Sequence, residues 1–88
     1  MVEKTVAIRN RLGLHARPAA MLVQAAAKFK SQVKIYKEDQ EVDGKSIMGL
    51  MTLAACAGTN LRIVGDGPDE NEAVNALAAL IETGFNEE

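Results

Sequence analysis

Four short segments of the chain alternate apolar with polar residues, and this two-residue period constrains the fold more than any other feature. The alternation starts at Val2 and returns around Val33, Val42 and Leu61. Such a period is typical of strands with one buried face and one solvated face. Strands of a doubly wound parallel sheet are instead nearly continuous apolar runs, because helices cover both of their faces. The pattern therefore favours a single antiparallel sheet.

The segment after the first strand changes to a helical period. Between Ala16 and Lys30, apolar residues recur at steps of three and four, which predicts an amphipathic helix. Its apolar stripe consists of Ala19, Leu22, Val23, Ala26 and Phe29. Pro18 belongs in the first turn, where a missing N–H group costs little. Lys28 and Lys30 would complement the helix dipole in the last turn.

Two further helices follow from local signals. Ser46 precedes an apolar stretch and is predicted to be the N-cap of a short helix that ends, with its tail, at Gly58. Asp69 and Glu72 have the spacing of a capping box at the start of the last helix, and Gly84 lies where a C-terminal glycine is expected. The apolar stripe of this last helix would be Val74, Leu77, Ala78, Ile81 and Phe85.

The predicted element order is βαββαβα, which indicates an α+β open-faced sandwich. A four-stranded antiparallel sheet would carry the three helices on one face. The first β-α-β crossover stays right-handed if an antiparallel strand is inserted between its two strands. The 88 residues leave room for one small domain, so residues 1–88 are interpreted as a single domain.

Charge and composition bear on the class of partner. Residues 1–45 hold nine Lys or Arg against five Asp or Glu, and residues 46–88 hold one against seven. The basic half could attract nucleic acid, but its cations are scattered along the chain. Aromatic residues form only 3% of the sequence, so stacking platforms for bases are absent. We therefore expect no nucleic-acid partner.

Cysteine usage and hydropathy favour a cytoplasmic protein. Cys56 is the only cysteine, which excludes an internal disulfide, and it is expected to fill the core rather than to react. One His and one Cys in separate segments leave too few ligands for a metal, and no cofactor is expected. No window approaches eighteen consecutive apolar residues, and no apolar stretch follows the first residues, so neither membrane insertion nor a signal peptide is expected.

His15, the only histidine, lies where a glycine-containing loop meets the start of the first helix. Backbone N–H groups and the positive end of a helix dipole favour a neutral imidazole that can act as a nucleophile. The N–H groups of Ala16 and Arg17, with the Arg17 guanidinium, could then hold the oxygens of a phosphoryl group on the ring without a metal. The plain alternative is that His15 is an N-cap or loop residue and that Arg17 is a solvated charge.

Residues 13–19, GLHARPA, and the segment KSIMGLM around Ser46 together resemble HPr, the histidine-containing phosphocarrier family of the bacterial phosphoenolpyruvate-dependent phosphotransferase system. The resemblance spans the whole chain, including its length, its element order and the start of the last helix. It implies that His15 accepts a phosphoryl group on Nδ1 from phosphorylated enzyme I and passes it to the histidine of an EIIA domain. It also implies that Arg17 binds the phosphoryl oxygens.

The same resemblance assigns roles to the first two helices. Ser46 resembles a regulatory serine that HPr kinase/phosphorylase phosphorylates in many bacteria, although a plain N-cap role would explain it as well. Partner docking is implied for Ala20, Gln24, Ile47, Met48 and Met51. The second helix is apolar around too much of its circumference for one buried stripe. We therefore expect Leu50 and Leu53 to be buried, whereas the exposed residues would be Ile47, Met48 and Met51.

Other interpretations stay open. Residues 8–13 and the ending 83–88 are similar to the nitrogen-related paralogue NPr, whereas residues 45–49 are similar to kinase-regulated HPr proteins. A pure interaction module, like family members that have lost the histidine, is disfavoured as the sole role by the presence of His15. A small enzyme of ferredoxin-like fold would need a second catalytic group beside His15. The chain is therefore interpreted as a carrier rather than an enzyme, and as a monomer that forms transient complexes.

Overall fold

A computed structural model describes residues 1–86; Glu87 and Glu88, at the end of the predicted domain, lie outside the described residues. The strands are β1 (Val2–Ala7), β2 (Gln32–Lys37), β3 (Gln40–Asp43) and β4 (Asn60–Asp66). The helices are α1 (Ala16–Ala26), α2 (Ile47–Thr52) and α3 (Glu70–Glu82), and a 3₁₀ turn follows at Gly84–Asn86. The βαββαβα order predicted from the sequence is confirmed.

The four strands form one antiparallel sheet in the order β1-β4-β2-β3. β1 and β2 are parallel to each other and separated by β4, which is the inserted strand that the sequence predicted. Arg62 of β4 lies opposite Thr5 of β1 on one side and opposite Tyr36 of β2 on the other. α3 packs on β1 and β4, and α1 packs against α2 and α3, so the helices form one layer over one face of the sheet.

The two-residue period of the strands divides their side chains between the core and the open face of the sheet. Ile35 of β2 and Ile63 of β4 are fully buried, together with Leu22 of α1 and Leu77 of α3. Burial of one such side chain contributes about 1.5–3 kcal/mol relative to leaving it exposed. The core therefore lies between the sheet and the helical layer.

The open face of the sheet is held by polar contacts between neighbouring strands. The Arg62 guanidinium lies 4.1 Å from the centroid of the Tyr36 ring, and Arg62 also pairs with Glu3 at 3.3 Å. Lys34 and Glu41 form an ion pair of 2.9 Å. The hydrogen bond within this pair raises the pKa of Lys34 and lowers that of Glu41. Exposed pairs of this kind contribute little stability each, so this face is solvated rather than packed.

α1 ends at Ala26, so the prediction that it continues to Lys30 is wrong. Just after the helix, the N–H group of Lys28 bonds to the carbonyl of Ala25, three residues back, and the turn tightens. The N–H group of Lys30 then donates to Asp69 at 2.9 Å instead of to a helical carbonyl. Lys28 and Lys30 consequently lie beyond the last helical turn, because the Asp69 carboxylate at the start of α3 accepts the N–H group of Lys30.

Asp69 starts α3 in a different way from the predicted capping box. Its carboxylate accepts hydrogen bonds from the Ser31 hydroxyl and from the N–H groups of Lys30 and Ser31. The Ser31 hydroxyl first, and the Lys30 N–H group second, lower the pKa of Asp69 to about 2. The predicted box of Asp69 and Glu72 is therefore wrong, because the carboxylate ties the end of α1 to the start of α3 and does not cap α3.

Two more segments differ from the sequence predictions in part. Gly84 follows the C-cap of α3 with a φ of +66°, so the C-terminal glycine is confirmed. Phe85 is fully buried as expected, but it lies in the 3₁₀ turn beyond that glycine and not on α3. α2 ends at Thr52 rather than at Gly58. Gly58 instead lies in the turn before β4, where its N–H group bonds to the Ile8 carbonyl at 2.8 Å.

Candidate functional site

His15 lies where the β1–α1 loop becomes α1, as the sequence predicted. It is the N-cap residue, with an extended backbone (φ −88°, ψ −170°), and its carbonyl accepts a hydrogen bond from the N–H group of Ala19 at 3.0 Å. The His15 N–H group donates to the Gly13 carbonyl at 3.0 Å. The imidazole does not cap the helix and is half-buried. The backbone of His15 thus begins the helix, and its ring stays partly accessible to solvent.

The first turn of α1 offers two backbone donors beside His15. The N–H groups of Ala16 and Arg17 precede the first residue that can bond to a helical carbonyl. Pro18 is buried in the third helical position, where it has no N–H group to satisfy. Arg17 is exposed, and no carboxylate within residues 1–86 forms an ion pair with it. The helix end therefore offers two N–H donors, the positive dipole end and a guanidinium to an anion.

The loop before His15 is pinned by hydrogen bonds. The Gly13 N–H group donates to the Asn10 carbonyl at 3.1 Å, and the Asn10 side-chain amide donates back to the Gly13 carbonyl at 2.7 Å. The Leu14 N–H group donates to the Ala55 carbonyl at 2.8 Å. Gly13 has a φ of +73°, and a Cβ atom there would collide with the Ala55 oxygen and lie 2.8 Å from the Cα atom of Cys56. Glycine is required here because the loop packs directly against the segment after α2.

α2 presents an apolar surface on the helix that packs against α1. Ser46 is its N-cap, as predicted, and the Ser46 hydroxyl accepts a hydrogen bond from the N–H group of Gly49 at 3.0 Å. Leu50 and Leu53 are buried, which confirms the expected inner face. The exposed fractions of the outer residues also agree with the prediction, at 41% for Ile47, 79% for Met48 and 45% for Met51.

Side chains that the sequence reasoning missed hold the C-terminal end of α2. Lys37 Nζ donates to the Leu53 carbonyl at 2.9 Å, and Gln40 Nε2 donates to the Thr52 carbonyl at 3.2 Å. Both donors come from the β2–β3 hairpin, and polar residues of a hairpin give no local signal of so distant a contact. The end of α2 is therefore set by the sheet, while its start is set by Ser46.

Cys56 is exposed, so the prediction that it fills the core is wrong. Its neighbour Ala55 is buried instead, with its carbonyl bonded to Leu14. The segment is irregular, and the Cys56 N–H group donates to the Thr59 hydroxyl at 3.2 Å, with the Cys56 sulfur 3.6 Å from the same hydroxyl. The chain therefore turns Ala55 inward and Cys56 outward, against the general tendency of cysteine to be buried.

Within residues 1–86, no cluster of three or more His, Cys, Asp or Glu residues is placed to hold a metal ion. No helix of this part is long and apolar enough to cross a bilayer. A groove of about 310 Å³ runs along β2 and β3, and a second of about 180 Å³ lies beside Met1 and β4. His15 lines neither of these two grooves.

Comparison with known proteins decides the family. A family model described as "PTS HPr component phosphorylation site" matches residues 2–83. The chain belongs to the HPr family. Phosphocarrier protein HPr of Cupriavidus necator is 51% identical over 87 residues, which are 99% of this chain and 98% of that protein. HPr-like protein Crh of Halalkalibacterium halodurans is 49% identical over 82 residues, which are 93% of this chain and 98% of that protein.

Solved HPr structures have the same architecture. The crystal structure of HPr-C-His from Thermoanaerobacter tengcongensis has a TM-score of 0.95 and 49% sequence identity, covering 100% of this chain and 99% of that chain. Family membership makes the chain a phosphocarrier of the phosphotransferase system. On the HPr fold, His15, Ala16 and Arg17 meet at the start of α1. Ala20, half-buried, and Gln24, exposed, lie farther along α1, the helix that packs against α2.

Proposed function

We propose that the protein accepts a phosphoryl group on Nδ1 of His15 from phosphorylated enzyme I and passes it to the histidine of an EIIA domain. The observation that carries this proposal is the place of His15 at the N-terminus of α1, beside the N–H groups of Ala16 and Arg17. In the first step, the Nδ1 lone pair forms a bond to phosphorus while the donor's bond to phosphorus breaks, and the donor keeps that electron pair. In the second step, the acceptor histidine attacks phosphorus, and His15 leaves with the electron pair of the broken N–P bond.

The groups beside His15 favour transfer to another protein. The two N–H groups and the Arg17 guanidinium are suited to bind the phosphoryl oxygens and stabilise their negative charge. A phosphorylated imidazole is a good leaving group, so transfer needs in-line positioning and charge stabilisation more than covalent assistance. The partner protein brings the second reacting group, and the carrier needs no catalytic base or cofactor of its own.

The docking surface proposed for these partners consists of half-buried Ala20 and four exposed residues on two packed helices: Gln24, Ile47, Met48 and Met51. Met48 is 79% exposed, which is unfavourable for a large apolar side chain unless a partner covers it. Methionine is flexible and polarizable, so the same surface can fit an enzyme I and an EIIA domain of different shape. Complexes that exchange a phosphoryl group have to be transient, which is consistent with a monomeric carrier.

Ser46 is proposed as a regulatory phosphorylation site for HPr kinase/phosphorylase. The Ser46 hydroxyl accepts the N–H group of Gly49 at the N-terminus of α2. Ser46 is half-buried and precedes exposed Ile47. A phosphoryl group there would add nearly two negative charges at the edge of the docking surface and weaken an acidic partner's approach to His15. A regulatory role is supported by the similarity to Crh, the Bacillus subtilis catabolite repression HPr.

The location of the protein and the type of its phosphoryl donor are proposed from the same family membership. Residues 1–88 would act as one phosphocarrier domain in the cytoplasm, where enzyme I and EIIA domains are found. Residues 8–13 and 83–88 resemble the nitrogen-related NPr branch, whereas residues 45–49 resemble kinase-regulated HPr proteins, so the donor is either the sugar-type or the nitrogen-type enzyme I. Both donors therefore have to be included in a test.

Intact-mass spectrometry tests the proposed function directly. The protein is incubated with phosphoenolpyruvate and enzyme I of either type from the same host, and its mass is recorded before and after brief acid treatment. We expect one phosphoryl addition that disappears in acid, because a phosphorylated imidazole is labile there. The addition should be absent in His15→Ala and present in Ser46→Ala.

The two variants separate the candidate sites. Survival of an acid-labile addition in His15→Ala would contradict the assignment of His15. No addition from either enzyme I would contradict the carrier role and favour a protein that acts by binding alone. Circular dichroism of His15→Ala checks that the variant is folded, which we expect because the imidazole does not cap α1.

A further inference from the structure

The large apolar side chains exposed on residues 1–86 are concentrated near the proposed site. Apart from Met1, they are Leu12, Ile47, Met48 and Met51. The last three belong to α2. Leu12 belongs to the loop that leads into His15, and it is 68% exposed. One exposed leucine on a surface is ordinary, but this one precedes the proposed phosphorylation site by three residues.

The turn that carries Leu12 has a fixed position. Arg11 and Leu12 are the two central residues of a turn closed by the paired hydrogen bonds of Asn10 and Gly13. Asn10 is 1% exposed, so the turn is anchored in the protein, whereas Arg11 and Leu12 are exposed. Gly13 packs against Ala55 and Cys56, the residues shortly after the C-cap of α2. The turn therefore lies where α1 begins and α2 has ended.

The same loop is positively charged. Arg9 and Arg11 are exposed, and neither pairs with a carboxylate of residues 1–86. Arg17 adds a third cation at the start of α1. Acidic residues outnumber basic ones only in residues 46–88, by seven to one. The complement of Leu12 and these arginines is an apolar depression bordered by Asp or Glu side chains.

We propose that the turn of residues 10–13 is a second docking element, in which Leu12 enters an apolar depression of the phosphoryl-donor protein and Arg11 pairs with an acidic residue at its edge. This inference rests on the proposed function, because the partner is the protein that brings a phosphoryl group to His15. Two rigid elements, this turn and α2, orient a partner better than α2 alone, since contact at two places restricts its rotation. The pinned backbone of the turn lowers the entropy lost on docking.

Steady-state phosphorylation by enzyme I and phosphoenolpyruvate tests the docking element. We expect Leu12→Ser to raise the KM for the carrier about tenfold, equivalent to about 1.4 kcal/mol, with little change in the maximal rate. Leu12→Met keeps an apolar side chain and should keep the KM of the wild type. Arg11→Gln should raise the KM severalfold at low salt and less at high salt, because salt screens attraction between exposed charges. Lys4→Gln, an exposed cation on β1, is the matched control and should leave the KM unchanged.

The outcomes separate this inference from the function on which it rests. An unchanged KM in both Leu12→Ser and Arg11→Gln, with His15 still phosphorylated, overturns the docking element and leaves the proposed function intact. A fall in maximal rate with no change in KM also overturns it, since the turn would then position His15 rather than bind the partner. If wild type itself is not phosphorylated, the proposed function fails and the docking element fails with it. Urea unfolding of each variant shows that the compared proteins are folded.

Discussion

The backbone conformation of Gly13 helps to fix the position of the loop that carries His15. Gly13 combines a left-handed backbone with direct contact against Ala55 and Cys56, so a Cβ atom there would force the loop and the Ala55 segment apart. Gly58 shares the left-handed backbone, with a φ of +89°, but has no atom within 4 Å of the place where a Cβ atom would be. A substitution at Gly58 would therefore lose stability only through the left-handed backbone. A substitution at Gly13 would lose stability through the backbone and through the steric collision as well.

Gly13→Ala and Gly58→Ala form a matched pair of variants. Gly58→Ala should lower the free energy of unfolding by about 1 kcal/mol, the cost of a left-handed backbone for alanine. Gly13→Ala should lower it by at least about 2 kcal/mol, because the collision with Ala55 is added, and it should also slow phosphorylation of His15. Urea unfolding measures the loss of stability in both variants, and the assay with enzyme I measures the rate of His15 phosphorylation. Equal losses in the two variants would show that the loop can move away from Ala55.

Local sequence signals were sufficient where a residue acts through its neighbours in the chain. His15 at a helix start, Ser46 as an N-cap and Gly84 as a C-terminal glycine are all such cases. They failed for Asp69, whose carboxylate binds Ser31, 38 residues away, and they missed Lys37, whose ammonium reaches the carbonyl of Leu53. A contact between distant segments produces no periodic pattern in the sequence. The end of α1 and the contacts that support α2 could therefore be seen only in the structure.

At the scale of the element, α2 depends for its stability on contacts with residues outside the helix. Six residues are too few for a stable helix in isolation, because nucleation is unfavourable and few intrahelical bonds form. Ser46 bonds to the first turn, and the hairpin side chains Lys37 and Gln40 bond to the last carbonyls. We therefore expect Met48 and Met51, which belong to the proposed docking surface, to depend on the hydrogen bonds at both ends of α2 for their positions.

Replacement of Ser46 tests the N-terminal support of α2. Ser46→Ala should lower the free energy of unfolding by about 1 kcal/mol, because the N–H group of Gly49 loses its acceptor. Ser46→Asp should stay close to wild type, since aspartate is an equally good N-cap. Thermal or urea unfolding measures both. A loss in Ser46→Asp as large as that in Ser46→Ala would mean that the cap is not the source of the effect.

At the scale of the whole molecule, one carboxylate joins two helices of the layer. Asp69, at the start of α3, accepts hydrogen bonds from the Ser31 hydroxyl and from the N–H groups of Lys30 and Ser31 just beyond α1, and these contacts lower its pKa to about 2 from an ordinary value of 3.8. The folded protein therefore favours the charged form of Asp69 more than the unfolded chain does. The stabilisation is complete above about pH 4 and is lost as the pH falls towards about 2.

The pH dependence of stability tests this link between helices. Asp69→Asn should be less stable than wild type near neutral pH and should lose less stability on acidification to about pH 2, because the titrating group is gone. Glu41 and Glu70, whose pKa values are also lowered, keep some acid sensitivity in the variant. Urea unfolding at a series of pH values gives both curves. Parallel curves for wild type and Asp69→Asn would contradict the prediction.

Within residues 1–86, β4 is the last strand to be synthesised, and it joins β1 to the β2–β3 hairpin. Until residues 60–66 have left the ribosome, only the β2–β3 hairpin can pair, and an isolated hairpin is marginal in water. β1 has no neighbouring strand before that point, and the loop before His15 has no sheet to support it. The sheet therefore closes only after β4 has been synthesised, so a shorter nascent chain carries His15 in a loop that no completed sheet supports.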